Sequence, residues 1–162
     1  MKNQKTLFLT QAAMIAAIYV VLTVLFRPLG FGEIQVRFAE ALTILPAFTP
    51  AAIPGLFIGC AVGNIIGGAV LPDIVFGSLA TLLGACVTYL LRNQNKYLSP
   101  LPPIISNALV VPFILRYAYG SPLPIPWMMF TVGVGEIISC GVLGMLIYGA
   151  LKKYQYRIFK TT

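Results

Sequence analysis

The sequence predicts an all-α integral membrane protein of six transmembrane helices, and three observations carry that prediction. Of its 162 residues, 59% are hydrophobic and only 9% are charged, with a mean hydropathy of +0.90; soluble domains carry about 25% charged residues. The apolar residues form continuous runs, not the every-second-residue alternation of a membrane β-barrel. At about 20 residues per crossing with short loops, the length has room for five or six helices. The runs between breakers are six: 7–26, 35–48, 51–69, 74–91, 103–118 and 127–151, forming one membrane domain over 1–162.

The first run follows Lys2 and Lys5. It is too long for a signal peptide and no A-x-A-like site closes it, so it is expected to remain as a helix. Arg27, Pro28 and Gly30 end it. Within it, Ala12/Ala16 and Ala13/Ala17 form two overlapping small-residue pairs, each able to admit a close neighbour. Ordinary packing inside the chain and a partner contact are both open from this pattern.

The second run is short for a full span and holds Pro46, which can kink it. Arg37 and Glu40 lie three residues apart, hence on one face of a helix. Ionisable groups facing lipid cost about 2.5–3.5 kcal/mol each at mid-depth on insertion scales. The two should therefore face other helices or a polar pocket, as one wall of a binding site or as a structural ion pair. The third run has Pro54 in its first turn, then Gly55, Gly59, Gly63 and Gly67, a glycine face built for close helix contact. Asn64 beside it is an interhelical hydrogen-bond donor or a ligand donor.

Asp73 opens the fourth run and reads as its N-cap, with ligand capture a secondary role. Ser78 and Thr81 are expected to bond back to the helix backbone. The fifth run starts at prolines, carries Asn107, is expected to break at Pro112 and ends near Arg116. The sixth begins at Trp127 and holds Glu136 about ten residues in, roughly 15 Å deep. Gly133, Gly135 and Ser139 surround Glu136 and leave room for a ligand or a close helix. Tyr117, Tyr119, Trp127 and Phe130 can stack on a flat ring or form the interfacial belt.

Charge sets the topology. Lys2, Lys5, Arg92 and Lys96, with the tail of Lys152, Lys153, Arg157 and Lys160, put eight basic residues on one side; Arg27, Arg37 and Arg116 leave three on the other. Both termini are then cytoplasmic, and the loops 28–35, 69–73 and 117–126 face outward. All four acids, Glu33, Glu40, Asp73 and Glu136, lie outside or within the bilayer. They imply an outward-facing substrate pocket with Glu136 toward its floor.

Several functions are excluded or weakened. The net charge of +7 sits at segment ends, where topology and lipid headgroups account for it better than nucleic acid. There is no His, which removes the commonest metal ligand and general base. Cys60, Cys86 and Cys140 sit in apolar runs without a C-x-x-C and are expected to pack as small hydrophobes. No metal, cofactor or catalytic residue is expected in this chain. No G-x-x-x-x-G-K-[ST] occurs to cradle ATP phosphates. Gly133-Val134-Gly135-Glu136 only faintly resembles the Gly-x-Gly-Asp of intramembrane aspartyl proteases, and a paired aspartate has no counterpart within a helix.

The run from Gln35 to Pro46 (QVRFAEALTILP), the run from Phe48 to Gly59 (FTPAAIPGLFIG) and that from Asp73 to Leu82 (DIVFGSLATL) resemble the QueT family, and the similarity covers nearly the whole chain. QueT proteins are substrate-binding S components of energy-coupling factor (ECF) transporters, ABC-type importers for queuosine precursors in the bacterial cell membrane. The resemblance implies partners: a transmembrane coupling protein and two ATPase subunits, which use the ATP. It implies that an Ala-x-x-x-Ala motif on the first helix, matched by Ala12/Ala16 with Ala13/Ala17 as the overlapping register, meets the coupling protein.

The implied ligand is a 7-deazaguanine, such as prequeuosine or queuine. Its two adjacent N–H donors suit one carboxylate, for which Glu136 is the first choice. Its exocyclic oxygen needs a donor such as Arg37, Arg116, Asn64 or Asn107. The cationic aminomethyl arm of prequeuosine wants a second carboxylate, Glu40 or Asp73, and Trp127 is a candidate ring contact. Two other readings remain: an S component for a different vitamin-like solute, and a self-sufficient ion- or proton-coupled carrier.

Overall fold

The computed structural model describes residues 2–30 and 35–159, so Glu33 and Lys160 lie outside the described residues. All regular structure among the described residues is helical. The first helix is Lys2–Leu25; the second segment is a 3-10 helix, Phe38–Ala47; the third helix is Ala52–Ile66. The fourth runs over Asp73–Leu91, the fifth over Leu101–Tyr117 and the sixth over Ile125–Lys152. Among the described residues, four segments (Gln4–Leu25, Asp73–Leu91, Lys96–Tyr117 and Ile125–Lys152) are long and apolar enough to cross a bilayer, while Phe38–Ala47 and Ala52–Ile66 are shorter. Their lipid-facing residues stay exposed, for example Leu25, Leu90 and Leu146.

The second segment is the centre of the bundle. Residues Ala39 to Pro46 are all buried, packed against the first, fourth and sixth helices. It winds as a 3-10 helix throughout instead of a kinked α-helix, with bonds such as Glu40 N–H to Arg37 carbonyl at 2.9 Å. Pro46 withholds the N–H that an α-helix would give to the Leu42 carbonyl, and its ring crowds that carbonyl. A run of ten residues in this form is long; burial on every side holds it. Because side chains at i and i+3 eclipse in such a helix, Arg37, Glu40 and Thr43 fall in one row.

The glycine face of the third helix meets the first helix. A Cβ on Gly55 would stand 2.8 Å from the Ala12 carbonyl oxygen, and one on Gly59 would stand 2.8 Å from Tyr19 Cβ and 3.0 Å from Ala16 Cα. Ala12 and Ala16 are therefore spent inside the chain, while Ala13 and Ala17 are exposed. The core formed there includes Ile15, Tyr19, Leu42, Leu45, Leu56 and Cys60. We expect Gly59→Val to lower bundle stability by about 1–3 kcal/mol, the usual cost of overpacking. Thermal unfolding in detergent measures it; an unchanged midpoint would mean that the two helices part freely.

Two other local expectations are corrected. Pro112 does not break the fifth helix, which is continuous from Leu101 to Tyr117 with Pro112 buried inside it. Packing against the fourth and sixth helices holds the flanking turns together. Asp73 is not an N-cap: the turn already starts at Leu71, and no side chain caps this end. Its carboxylate points into the bundle instead.

Candidate functional site

The row on the 3-10 helix faces the polar residues of the fourth, fifth and sixth helices. Arg37, in extended backbone just before that helix, places Nη2 3.9 Å from Asp73 Oδ2. Its side chain is 15% exposed and that of Asp73 only 3%. Arg37 interacts electrostatically with Asp73 and, beyond it, with Glu40 and Glu136. It also donates to the Gln35 side chain at 3.3 Å. Gln35 is fixed in turn because its backbone crosses the sixth helix against Gly135, where a Cβ would collide with the Gln35 carbonyl. A glycine at 135 lets the entry to the 3-10 helix lie directly on the sixth helix, one residue before Glu136.

Asp73 accepts a 2.9 Å hydrogen bond from the Tyr119 hydroxyl, and Asn64 Nδ2 donates to the Asp73 carbonyl at 3.4 Å. Asn64 thus ties the third helix to the fourth. Burial, then the Asp73 carboxylate, push the Tyr119 phenol up to about 12, so it remains a donor at physiological pH. Tyr119→Phe should cost about 0.5–1.5 kcal/mol, the worth of one hydrogen bond. The comparison is thermal unfolding of the two proteins, and equal midpoints would remove this bond from the folded state.

Deeper lie two carboxylates. Glu40 is fully buried and Glu136 is 2% exposed. Tyr19 donates to Glu40 Oε1. Asn107 Nδ2 donates to Glu136 Oε1 at 3.0 Å, and the Cys140 thiol lies 3.1 Å from Glu136 Oε2. Thr43 donates to the Glu40 carbonyl at 2.6 Å and sits 3.3 Å from Cys140 Sγ. One carboxylate oxygen from each glutamate and the Cys140 sulfur all lie within 4.8 Å of one another. A metal ion would find three ligand atoms here, although the thiol already serves as a donor to Glu136. Just beyond Glu136 the sixth helix widens into a π-helical stretch, Ile137–Leu143, a feature common at functional sites.

Six of the eight residues singled out from the sequence are thus gathered between the same helices: Glu40, Asn64, Asp73, Asn107 and Glu136, all buried, and Arg37, partly buried. Arg116 and Trp127 are not brought there. Arg116 is exposed and donates to the Ser121 carbonyl at 2.8 Å; Trp127 is 52% exposed and packs on Phe130. Sequence reasoning missed Tyr19, Gln35, Thr43 and Cys140. Tyr19 had a signal, since it continues the Ala12–Ile15 face that meets the glycines; Thr43 continues the row of Arg37 and Glu40 by threes. Cys140, read as a small hydrophobe, had none.

The groups converge, but little space separates them. The cavity beside Arg37, lined by Tyr19, Thr23, Phe38 and Asn64 among others, holds about 30 Å³, roughly one water's share of the liquid. Pockets that take organic ligands measure about 300–1,000 Å³, so a ligand enters only as the helices part. A larger hollow of about 570 Å³ is lined by apolar groups such as Phe76, Leu109 and Phe113. Its lining carries no carboxylate or basic group, and Tyr117 brings its one hydroxyl; it suits acyl chains.

Ionisable side chains sunk among apolar helices mark substrate or ion pathways. The fold and the site together define a multi-pass membrane transport protein. A family model described as "QueT transporter" matches residues 9–153, and the chain belongs to this family of transporters, which are proteins of the bacterial plasma membrane. The Queuosine precursor transporter QueT of Lactococcus lactis subsp. cremoris (strain MG1363) is 32% identical over 98 residues, 59% of this chain and 57% of that protein. The matched region is thus little more than half of either. No solved structure gives a significant match.

Proposed function

We propose that the chain is the substrate-binding component of an ECF-type importer, taking a queuosine precursor of the 7-deazaguanine class from outside the cell. A transmembrane coupling protein and two ATPases supply the energy, and ATP is used only by those partners. Six crossings with both termini cytoplasmic are part of this reading. The observation that carries it is the gathering of the partly buried Arg37 with the buried Glu40, Asp73 and Glu136, together with the family membership. A flat heterocycle with donors on one edge and an exocyclic oxygen suits adjacent carboxylate and guanidinium groups. Exclusion of water strengthens each contact. Ala13 and Ala17, exposed on the first helix, leave a surface for the coupling protein.

The test is uptake of a labelled 7-deazaguanine into proteoliposomes. Transport that requires both ATP and the partner subunits is the expected result. Uptake by this chain alone, driven by a proton or sodium gradient, would make it a self-sufficient carrier. Binding of a vitamin in preference to any 7-deazaguanine would assign it another solute.

A further inference from the structure

Resting on the reading above, we infer that the site demands a cationic ligand: the Glu40–Glu136 pair holds the ammonium of an aminomethyl-bearing 7-deazaguanine, and Arg37 with Asp73 reads the ring. The roles suggested by the sequence for Glu136 and Asp73 are thereby exchanged.

Charge balance is the first argument. Three buried carboxylates face one guanidinium, and that guanidinium stands beside Asp73 at 3.9 Å. Among the described residues, no basic side chain lies within ion-pair distance of Glu40 or Glu136. The groups that do touch them, Tyr19, Asn107 and Cys140, are neutral donors. Two carboxyl groups in a dry site hold either a proton or a bound cation, because buried unpaired charge is among the costliest arrangements in a protein, and an ammonium entering the site takes the proton's place.

The second argument is an acceptor left over. Glu40 Oε2 is buried and no hydrogen bond of ordinary geometry reaches it, although the Asn107 amide and the Thr81 hydroxyl lie close to this carboxylate; the residue has no exposure at all. A buried acceptor of this kind costs about 1–3 kcal/mol unless something binds it. The nearest oxygens of the two glutamates are no more than 4.8 Å apart. An ammonium nitrogen at an ordinary distance of about 2.8 Å from each bridges such a pair with near-tetrahedral geometry.

The third argument is what remains for the ring. Asp73 Oδ1 is likewise buried without a partner, on the carboxylate whose other oxygen, Oδ2, faces Arg37 at 3.9 Å. A carboxylate and a guanidinium side by side match the neighbouring N–H and carbonyl of a guanine-type edge. An uncharged member of the class, carrying a nitrile or a methyl group where the amine stands, would satisfy this half of the site and leave the glutamate pair unbalanced.

Calorimetry of the purified protein with 7-aminomethyl-7-deazaguanine and its 7-cyano and 7-methyl counterparts decides the matter. The amine should bind about 10- to 100-fold more tightly than either neutral compound, the range of one charged hydrogen-bonded contact. Glu40→Gln should bring the three affinities together, whereas Asp73→Asn should weaken all three alike. The wild-type comparison stands even if a variant fails to fold. Neutral compounds within threefold of the amine would overturn the cation requirement while leaving the queuosine-precursor reading in place; no binding of any of the three would overturn both. Mn²⁺ or Zn²⁺ binding that Glu40→Gln abolishes, with no preference for the amine, would make the pair a metal site instead and refute the inference.

Discussion

Glu136→Gln is expected to weaken binding of 7-aminomethyl-7-deazaguanine by about 10- to 100-fold, since a charged hydrogen bond contributes about 1.5–3 kcal/mol. The substitution keeps the shape and keeps an oxygen for Asn107, which donates to Glu136 Oε1 at 3.0 Å. What it removes is the carboxyl able to carry a negative charge against a bound cation, in a residue only 2% exposed. Folding should therefore survive: an amide matches the carboxyl in shape and brings no charge into the bundle, and the unfolding temperature should hold. Calorimetry and thermal unfolding on one preparation separate the two effects. A loss of binding under about 1 kcal/mol would take Glu136 out of the ligand's reach.

Ala13→Trp and Ala17→Trp are expected to abolish uptake by the assembled transporter while leaving ligand binding by the isolated chain intact. Both residues are exposed on the first helix, in line with Leu9 and Val21, which are 66% and 60% exposed. A small-residue stretch on an otherwise apolar face lets another helix come close, and an indole prevents that approach. The neighbouring register behaves differently. Ala12 and Ala16 lie against Gly55 and Gly59, so Ala12→Trp or Ala16→Trp should unfold the bundle before any partner is involved. Normal uptake by both exposed-face variants would move the partner contact to another surface.

The way in which the sequence was readable follows from where the physics is local. Composition and continuous apolar runs announce helices in lipid because no other element hides its backbone there. Gly55, Gly59 and Gly63 announced a close helix contact because only a missing side chain permits one. Arg37 and Glu40 announced a polar site because their cost in lipid demands partners, but not which partners: Arg37 turns to Asp73 on the fourth helix instead of to Glu40. Asp73 was misread for a related reason. A carboxylate near a helix start is usually a cap, and only the tertiary positions of Tyr119 and Arg37 claim it otherwise. Arg116 and Trp127 have the right chemistry at the wrong place, since both fall at helix ends where solvent or the interface takes them. The 3-10 winding of Phe38–Ala47 was hidden because it rests on burial from all sides, which no local pattern records.

A structure of the chain with 7-aminomethyl-7-deazaguanine bound tests the central claim most directly. The account predicts the ring edge on Arg37 and Asp73, the ammonium against Glu40 and Glu136, and a cavity grown well beyond the 30 Å³ beside Arg37. A ligand lodged in the apolar hollow lined by Phe76, Leu109 and Phe113, with the buried carboxylates still closed on one another, would contradict it.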